Sequence, residues 1–321
     1  GVGSSLVSQG RVYVFFGGDR TTLTGHGAWD LTSSGHTGFP IERGFRIEGD
    51  ANFRGVGQSI SGGFDLNDDG FDDFLIGVET DSKNGHVDDV GEAVLVYGTN
   101  EFDRSILPLQ NLAGKGGSMN PRGVILALKN KDGAGKKALL GLEMAALDDV
   151  NGDGHDDIAV GAPQYGDGGA AFVIFGGIQY HGTLFLDEMD GSDGFGILGA
   201  KKGDLCGGDV KKAGDFNGDG YGDIIVGAAG FEHRRGAAYI VLGRKHFGPT
   251  VRADISFRGD VAKDMAGYSV SSAGDVDGDG LDDVLIGAFT SSPQAREMAG
   301  TVYCVLGGSK KKGTFDLSDL N

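Results

Sequence analysis

A nine-residue acidic tract recurs four times in this chain, and its repetition limits the fold more than any other feature. Asp65-Leu66-Asn67-Asp68-Asp69-Gly70-Phe71-Asp72-Asp73 returns at 149–157, 215–223 and 275–283, at intervals of 84, 66 and 60 residues. An apolar run ending in glycine follows each copy: Phe74-Leu75-Ile76-Gly77, Ile158-Ala159-Val160-Gly161, Ile224-Ile225-Val226-Gly227 and Val284-Leu285-Ile286-Gly287. A second run comes after it, at 93–98, 171–176, 238–243 and 302–307. Self-similarity of this period marks a stack or a ring of like units.

The runs are four to six residues long, rich in Val, Ile, Phe and Tyr, and bounded by Gly or Asp, which reads as strand. They are apolar at consecutive positions, so both faces of each strand must be buried. An antiparallel sheet covered on both sides and repeated about every 60 to 80 residues describes a propeller blade between neighbours. A solenoid, whose units are usually shorter, ranks second. The expected fold is therefore all-β: a β-propeller of four-stranded antiparallel blades. Complete repeats are placed at about 19–98, 99–177, 178–243 and 244–308, with partial blades at 1–18 and 309–321. The first partial blade rests on Val12-Tyr13-Val14-Phe15-Phe16-Gly17, a second run without its acidic tract. The last rests on Gly313-Thr314-Phe315-Asp316-Leu317, which resembles Gly182-Thr183-Leu184-Phe185-Leu186, read as the opening strand of a unit. In a five-bladed closure that last strand would join the N-terminal ones. The chain is expected to begin and end mid-repeat, and residues 1–10 lack the apolar stretch of a signal peptide.

Within the tract, oxygen side chains at positions 1, 3, 5 and 9 and the main-chain carbonyl of position 7 can converge on one hard cation. Calcium accepts six to eight such oxygens. The expected ligands are Asp65, Asn67, Asp69, Phe71 and Asp73; Asp149, Asn151, Asp153, His155 and Asp157; Asp215, Asn217, Asp219, Tyr221 and Asp223; and Asp275, Asp277, Asp279, Leu281 and Asp283. Phe71, His155, Tyr221 and Leu281 would contribute carbonyls only. Glycine at position 6 permits the positive-φ turn around the ion. An EF-hand is excluded, since Ile76, Val160, Val226 or Ile286 stands where its twelfth-position Glu belongs. Asp, Asn and Gly also favour metal-free turns, but four copies at one place in four repeats weigh toward about four calcium sites. Charge agrees: 46 acidic against 28 basic residues give a net −18, which four calcium ions would bring to −10. Such acidity disfavours nucleic acid as a partner. No apolar run reaches the roughly 20 residues of a membrane span.

These residues resemble the FG-GAP repeat, the blade unit of the integrin alpha-subunit propeller, and the resemblance covers most of the chain. Gly161-Ala162-Pro163 matches the second half of that name. Gly267-Tyr268-Ser269-Val270 stands where the first half belongs, and Gly57, Gly141 and Gly207 hold the place of Gly267. Gln58, Leu142 and Gly208 replace the aromatic of Tyr268, a departure that bears on packing rather than on the metal loops. The resemblance implies a calcium-stabilised propeller working in adhesion or recognition, extracellular or at the cell surface, without catalysis. Integrin propellers have seven blades, so the chain is either part of a longer protein or a smaller propeller.

Its partner would be a protein or glycan, met by loops such as 80–90 and 111–137; the second includes Lys129, Lys131, Lys136 and Lys137. The alternatives are an accessory propeller of a secreted, phospholipase-like hydrolase and a structural subunit whose partners are neighbouring subunits of a filament or large assembly. Neither a G-x-S-x-G elbow nor an H-E-x-x-H helix is present. Arg258-Gly259-Asp260 spells a tripeptide that integrins bind, but it falls where another repeat has Glu48-Gly49-Asp50, so it reads as repeat consensus. Cys206 and Cys304 form no CxxC pair; Cys304 takes a strand position held elsewhere by Ile240, which predicts a buried free thiol, with a disulfide left open.

Overall fold

Short apolar runs joined by glycine-rich turns satisfy each other's backbone groups as adjacent antiparallel strands, and the chain folds accordingly. The structure is a computed structural model that describes residues 10–17, 44–49, 55–78, 90–101, 106–112, 122–129, 137–293, 296–308 and 312–320. Numbered along the chain, its strands form five successive sheets among the described residues. The first holds β1 (Arg11–Phe15), β2 (Gly44–Glu48) and β6 (Ile106–Pro108). The second holds β3 (Ile60–Phe64), β4 (Asp73–Val78), β5 (Glu92–Val96), β7 (Gly123–Ala127) and β11 (Gly182–Phe185). The third holds β8 (Met144–Ala146), β9 (Ile158–Ala162), β10 (Ala170–Ile174), β12 (Gly194–Leu198) and β16 (Thr250–Val251). The fourth holds β13 (Asp209–Gly214), β14 (Asp223–Ala228), β15 (Ala237–Val241), β17 (Ile255–Arg258) and β21 (Gly313–Asp316). The fifth holds β18 (Ser269–Gly274), β19 (Asp283–Ala288) and β20 (Thr301–Val305).

The second, third and fourth sheets have the expected four antiparallel strands, plus an outer strand that runs parallel to the fourth: β11 on β7, β16 on β12 and β21 on β17. β6 lies on β2 in the same way. After their third strands, the repeats of the second, third and fourth sheets thus first lend a strand to the outside of the preceding sheet and only then lay down their own fourth strand. Gly182–Phe185 is accordingly not an opening strand but a borrowed outer one. Likewise, β21 joins β17 rather than the N-terminal strands. The repeat divisions near 98, 177 and 243 therefore mark sequence units, and the sheets cross them.

Consecutive apolar residues serve opposite faces. Ile224 and Val226 of β14 pack with Val173 and Val210, while the intervening Ile225 packs with Val284 and Ile286. Ala93 and Leu95 pack toward Met144 and Val160, and Val94 and Val96 pack toward Val12 and Ile47. Each such Val, Leu or Ile side chain stabilises the fold by about 1.5–3 kcal/mol when fully buried. β20 differs. Its burial alternates, with Val302 at 68% exposure and Leu306 just beyond it at 42%, because no sixth sheet lies beyond it among the described residues. The same geometry overturns the expectation for Cys304, which is exposed, while Cys206 is buried; both are free.

First strands sit side by side, β3 by β8, β8 by β13 and β13 by β18, and glycines let them do so. Gly57, Gly141, Gly207 and Gly267 take φ of +89°, +80°, +85° and +74°. Each donates its N–H to the carbonyl of the second-strand glycine of its own sheet (Gly77, Gly161, Gly227 and Gly287), at 3.0–3.2 Å. A Cβ at Gly207 would lie 2.0 Å from the Ala170 carbonyl oxygen. Gly207→Ala is expected to cost about 3–5 kcal/mol by adding backbone strain to a steric overlap. Urea unfolding would read this, and a loss under 1 kcal/mol would contradict the close approach.

Candidate metal centre

Each acidic tract bridges the first and second strands of its sheet, so all four lie at the same end of their sheets. The first aspartate organises the loop. Asp149 Oδ1 accepts the N–H groups of Gly152 (2.6 Å) and Asp153 (3.1 Å), and Oδ2 accepts that of Gly154 (2.7 Å). Asp215 repeats this with Gly218, Asp219 and Gly220, and Asp275 with Gly278, Asp279 and Gly280. Asp65 accepts from Asp69 and Gly70. The fifth-position Oδ1 (Asp69, Asp153, Asp219 and Asp279) accepts the N–H of Phe71, His155, Tyr221 and Leu281 at 2.9–3.1 Å. Position 6 is left-handed throughout, at φ +86°, +92°, +89° and +88°, which glycine alone adopts freely.

Position 9 is the buried anchor. Asp73, Asp157, Asp223 and Asp283 are at most 1% exposed. Each Oδ2 accepts a main-chain N–H from the start of its own loop: Leu66, Val150, Asn217 and Val276, at 2.8–3.3 Å. Each Oδ1 accepts the N–H of the glycine just beyond the third strand: Gly98, Gly176, Gly243 and Gly307, at 2.8–2.9 Å. Sequence reasoning missed the role of those four glycines, although their fixed place at the end of the second run was a legible signal. Burial is the main force that pushes the Asp73 carboxyl up to about 6 and those of Asp157 and Asp223 up to about 7; the N–H bonds oppose it and the neighbouring carboxylates add to it.

The donors suit a hard cation, being oxygen throughout. Ligand oxygens of Asp275, Asp277 and Asp283 lie within 4.8 Å of one another. Asn67 Oδ1 is buried without a hydrogen-bond partner, an acceptor that a cation would satisfy. Asn151 and Asn217 turn the same oxygen to the N–H of Asp153 (2.8 Å) and Asp219 (2.9 Å), which leaves a lone pair free on each.

The protein-family comparison matches the FG-GAP repeat at residues 141–174, 213–241 and 266–303. Three stretches of the chain match FG-GAP repeats, and the chain is similar to integrin alpha chains. Each matched FG-GAP stretch carries an acidic loop between its first two strands and runs on into the third, and the loop at 65–73 repeats that geometry outside them. Among curated relatives, integrin alpha pat-2 of Caenorhabditis briggsae is 34% identical over 178 residues, covering 51% of this chain and 14% of that protein. Integrin alpha-6 of Gallus gallus is 32% identical over 177 residues (50% and 14%), and integrin alpha-PS5 of Drosophila melanogaster 36% over 153 residues (44% and 14%). The chain spans about one seventh of the length of these relatives.

Of the expected recognition loops, 80–89, 113–121 and 130–136 lie outside the described residues. Lys129 pairs with Glu188 at 2.9 Å. Gly259 ends a fourth strand and donates its N–H to the Gly236 carbonyl, as Gly49 does to that of Gly10, so the Arg-Gly-Asp tripeptide is repeat framework.

Proposed function

We propose that this chain is a noncatalytic, calcium-stabilised recognition module of the cell surface or extracellular space, meeting a protein or glycan through loops at the end of the sheets opposite the acidic tracts. The observation that carries the cation reading is the same hydrogen-bonded, oxygen-lined loop in four successive sheets, one with an orphaned acceptor at Asn67. Calcium would be held by the side chains at positions 1, 3, 5 and 9 and the carbonyls of Phe71, His155, Tyr221 and Leu281. The bound ion supplies charge neutralisation. The chain itself supplies the prefolded loop. Similarity to integrin alpha chains supports the adhesive reading.

Calorimetric titration of the full chain with calcium is expected to give about four sites, with magnesium weaker because it demands smaller, near-octahedral geometry. No heat and no bound calcium would end the cation reading. For recognition, the immobilised chain is expected to retain at least one extracellular-matrix protein or arrayed glycan in calcium and to release it in EDTA; retention of none would remove that part.

The raised carboxyls set a pH test. A folded carboxyl held above its ordinary value favours folding when protonated, and that contribution is lost as pH rises through the folded value. Chelated protein is therefore expected to melt higher at pH 5 than at pH 8, with the loss beginning in the ordinary carboxylate range and complete once pH passes about 6 to 7. Calcium requires the ionised forms, so its affinity should fall over the same interval on acidification. Calorimetric melts and titrations at both pH values check the two signs, and a chelated protein more stable at pH 8 would contradict the first.

A further inference from the structure

The four loops are not independent of one another. At each described junction the following repeat holds the start of the preceding loop. Gly177, Arg244 and Gly308 donate their N–H groups to the carbonyls of Leu66 (2.7 Å), Val150 (2.8 Å) and Phe216 (2.8 Å), the second residues of the loops at 65–73, 149–157 and 215–223. Gly222 and Asp282 donate to the carbonyls of Asp149 (2.8 Å) and Asp215 (3.3 Å), the first residues of the last two. Asp282 Oδ2 also accepts the Asp215 N–H at 2.8 Å.

Side chains repeat the pattern. The seventh-position residue of one loop lies over the fourth-position residue of the loop before it. Tyr221 covers Gly152, where a Cβ would sit 2.5 Å from Tyr221 Cε1, and Leu281 covers Gly218, where one would sit 2.6 Å from Leu281 Cδ2. At the first junction His155 Nδ1 stands 3.9 Å from Asp68 Oδ2. Gly278 of the last loop has nothing within 4 Å of such a Cβ.

Resting on the cation reading above, we propose that the loops form a directional row in which each of the first three cation sites is held in shape by the repeat that follows it. Tyr221 and Leu281 are positioning residues for the loops at 149–157 and 215–223. The reason is the hinge they cover. Gly152 and Gly218 sit at φ +76° and +75°, and glycine has the most conformational freedom to lose when a loop closes on an ion. A side chain packed on that hinge holds it closed before the ion arrives, so binding costs less ordering. In its own loop Tyr221 offers only a main-chain carbonyl, which truncation of its ring leaves in place.

The test is a calcium titration by calorimetry on the full chain carrying Tyr221→Ala, Tyr221→Leu or Leu281→Ala. Melts in EDTA confirm that each variant is folded. Tyr221→Ala is expected to weaken one of the sites about tenfold, the size of effect typical when a residue supporting metal ligands is removed. Tyr221→Leu should restore it, because leucine does the same task at 281. Leu281→Ala should weaken a different single site. Asp149→Ala removes the loop that Tyr221 covers, so in that background Tyr221→Ala should have no further effect. A further loss there would place the action of Tyr221 in its own loop and overturn the proposal, as would unchanged isotherms for both alanine variants. Absence of calcium uptake by the unsubstituted chain would remove the cation reading itself, a result distinct from either.

Discussion

Millimolar calcium should raise the melting temperature of this chain by about 15 °C over the chelated protein. The loops concentrate carboxylates: three in each of the tracts ending at Asp73, Asp157 and Asp223 when positions 1, 5 and 9 are counted, and four in the tract ending at Asp283. Their oxygens are held together by main-chain N–H groups rather than by basic side chains. In the absence of an ion, close carboxylates repel by roughly 1 kcal/mol per pair at 4 Å even in water. An ion that binds only the folded state stabilises it by about 2.7 kcal/mol per site at a hundredfold excess over Kd. Four such sites contribute about 11 kcal/mol if independent, and a chain of this size gains roughly 1.5 °C per kcal/mol. Differential scanning calorimetry in EDTA and in calcium reads the shift. A change of only a few degrees would show that these loops are turns first and cation sites at most weakly.

The second large effect separates the two roles of the acidic residues. Asp157→Ala is expected to destabilise the protein by about 2–6 kcal/mol even in EDTA, because it strands the buried N–H groups of Val150 and Gly176 at roughly 1–3 kcal/mol each. Asp153→Ala removes an exposed carboxylate of the same loop and should leave the chelated protein within about 1 kcal/mol of the parent while weakening calcium binding. Asp157→Asn is the informative intermediate. It keeps one acceptor and carries no charge, in a place where burial already pushes the carboxyl up to about 7. Urea unfolding of the three variants with and without calcium gives the comparison. Equal losses for Asp157→Ala and Asp153→Ala in EDTA would mean that the anchor is not structural.

The two halves of the FG-GAP name meet in space through a mechanism that the sequence could only hint at. Gly207, ahead of β13, and Gly227, inside β14, are hydrogen-bonded to each other, and Gly227 in turn faces Gly267 of the next sheet, where a Cβ would come within 2.1 Å of the carbonyl oxygen. The spacing of glycines along the chain is therefore a record of backbone contact both within a sheet and between sheets.

The sequence by itself determined the strands around each acidic tract, the inward and outward burial of Ile224, Ile225 and Val226, and the oxygen-rich loops. These are local matters: strand alternation has a period of two, and a ligand loop is closed by N–H groups within five residues of Asp149 or Asp215. Tertiary structure alone decided the rest. Which sheet takes the strands at 182–185 and 313–316 depends on pairing across dozens of residues, and so does the fate of Cys304, whose counterparts Val173 and Ile240 are buried because another sheet lies beyond them. The contacts of Tyr221 on Gly152 and Leu281 on Gly218 belong to the same class. They join residues more than sixty apart, brought together because sheets in register place like loops at one end, and no local pattern encodes which neighbour each loop will meet.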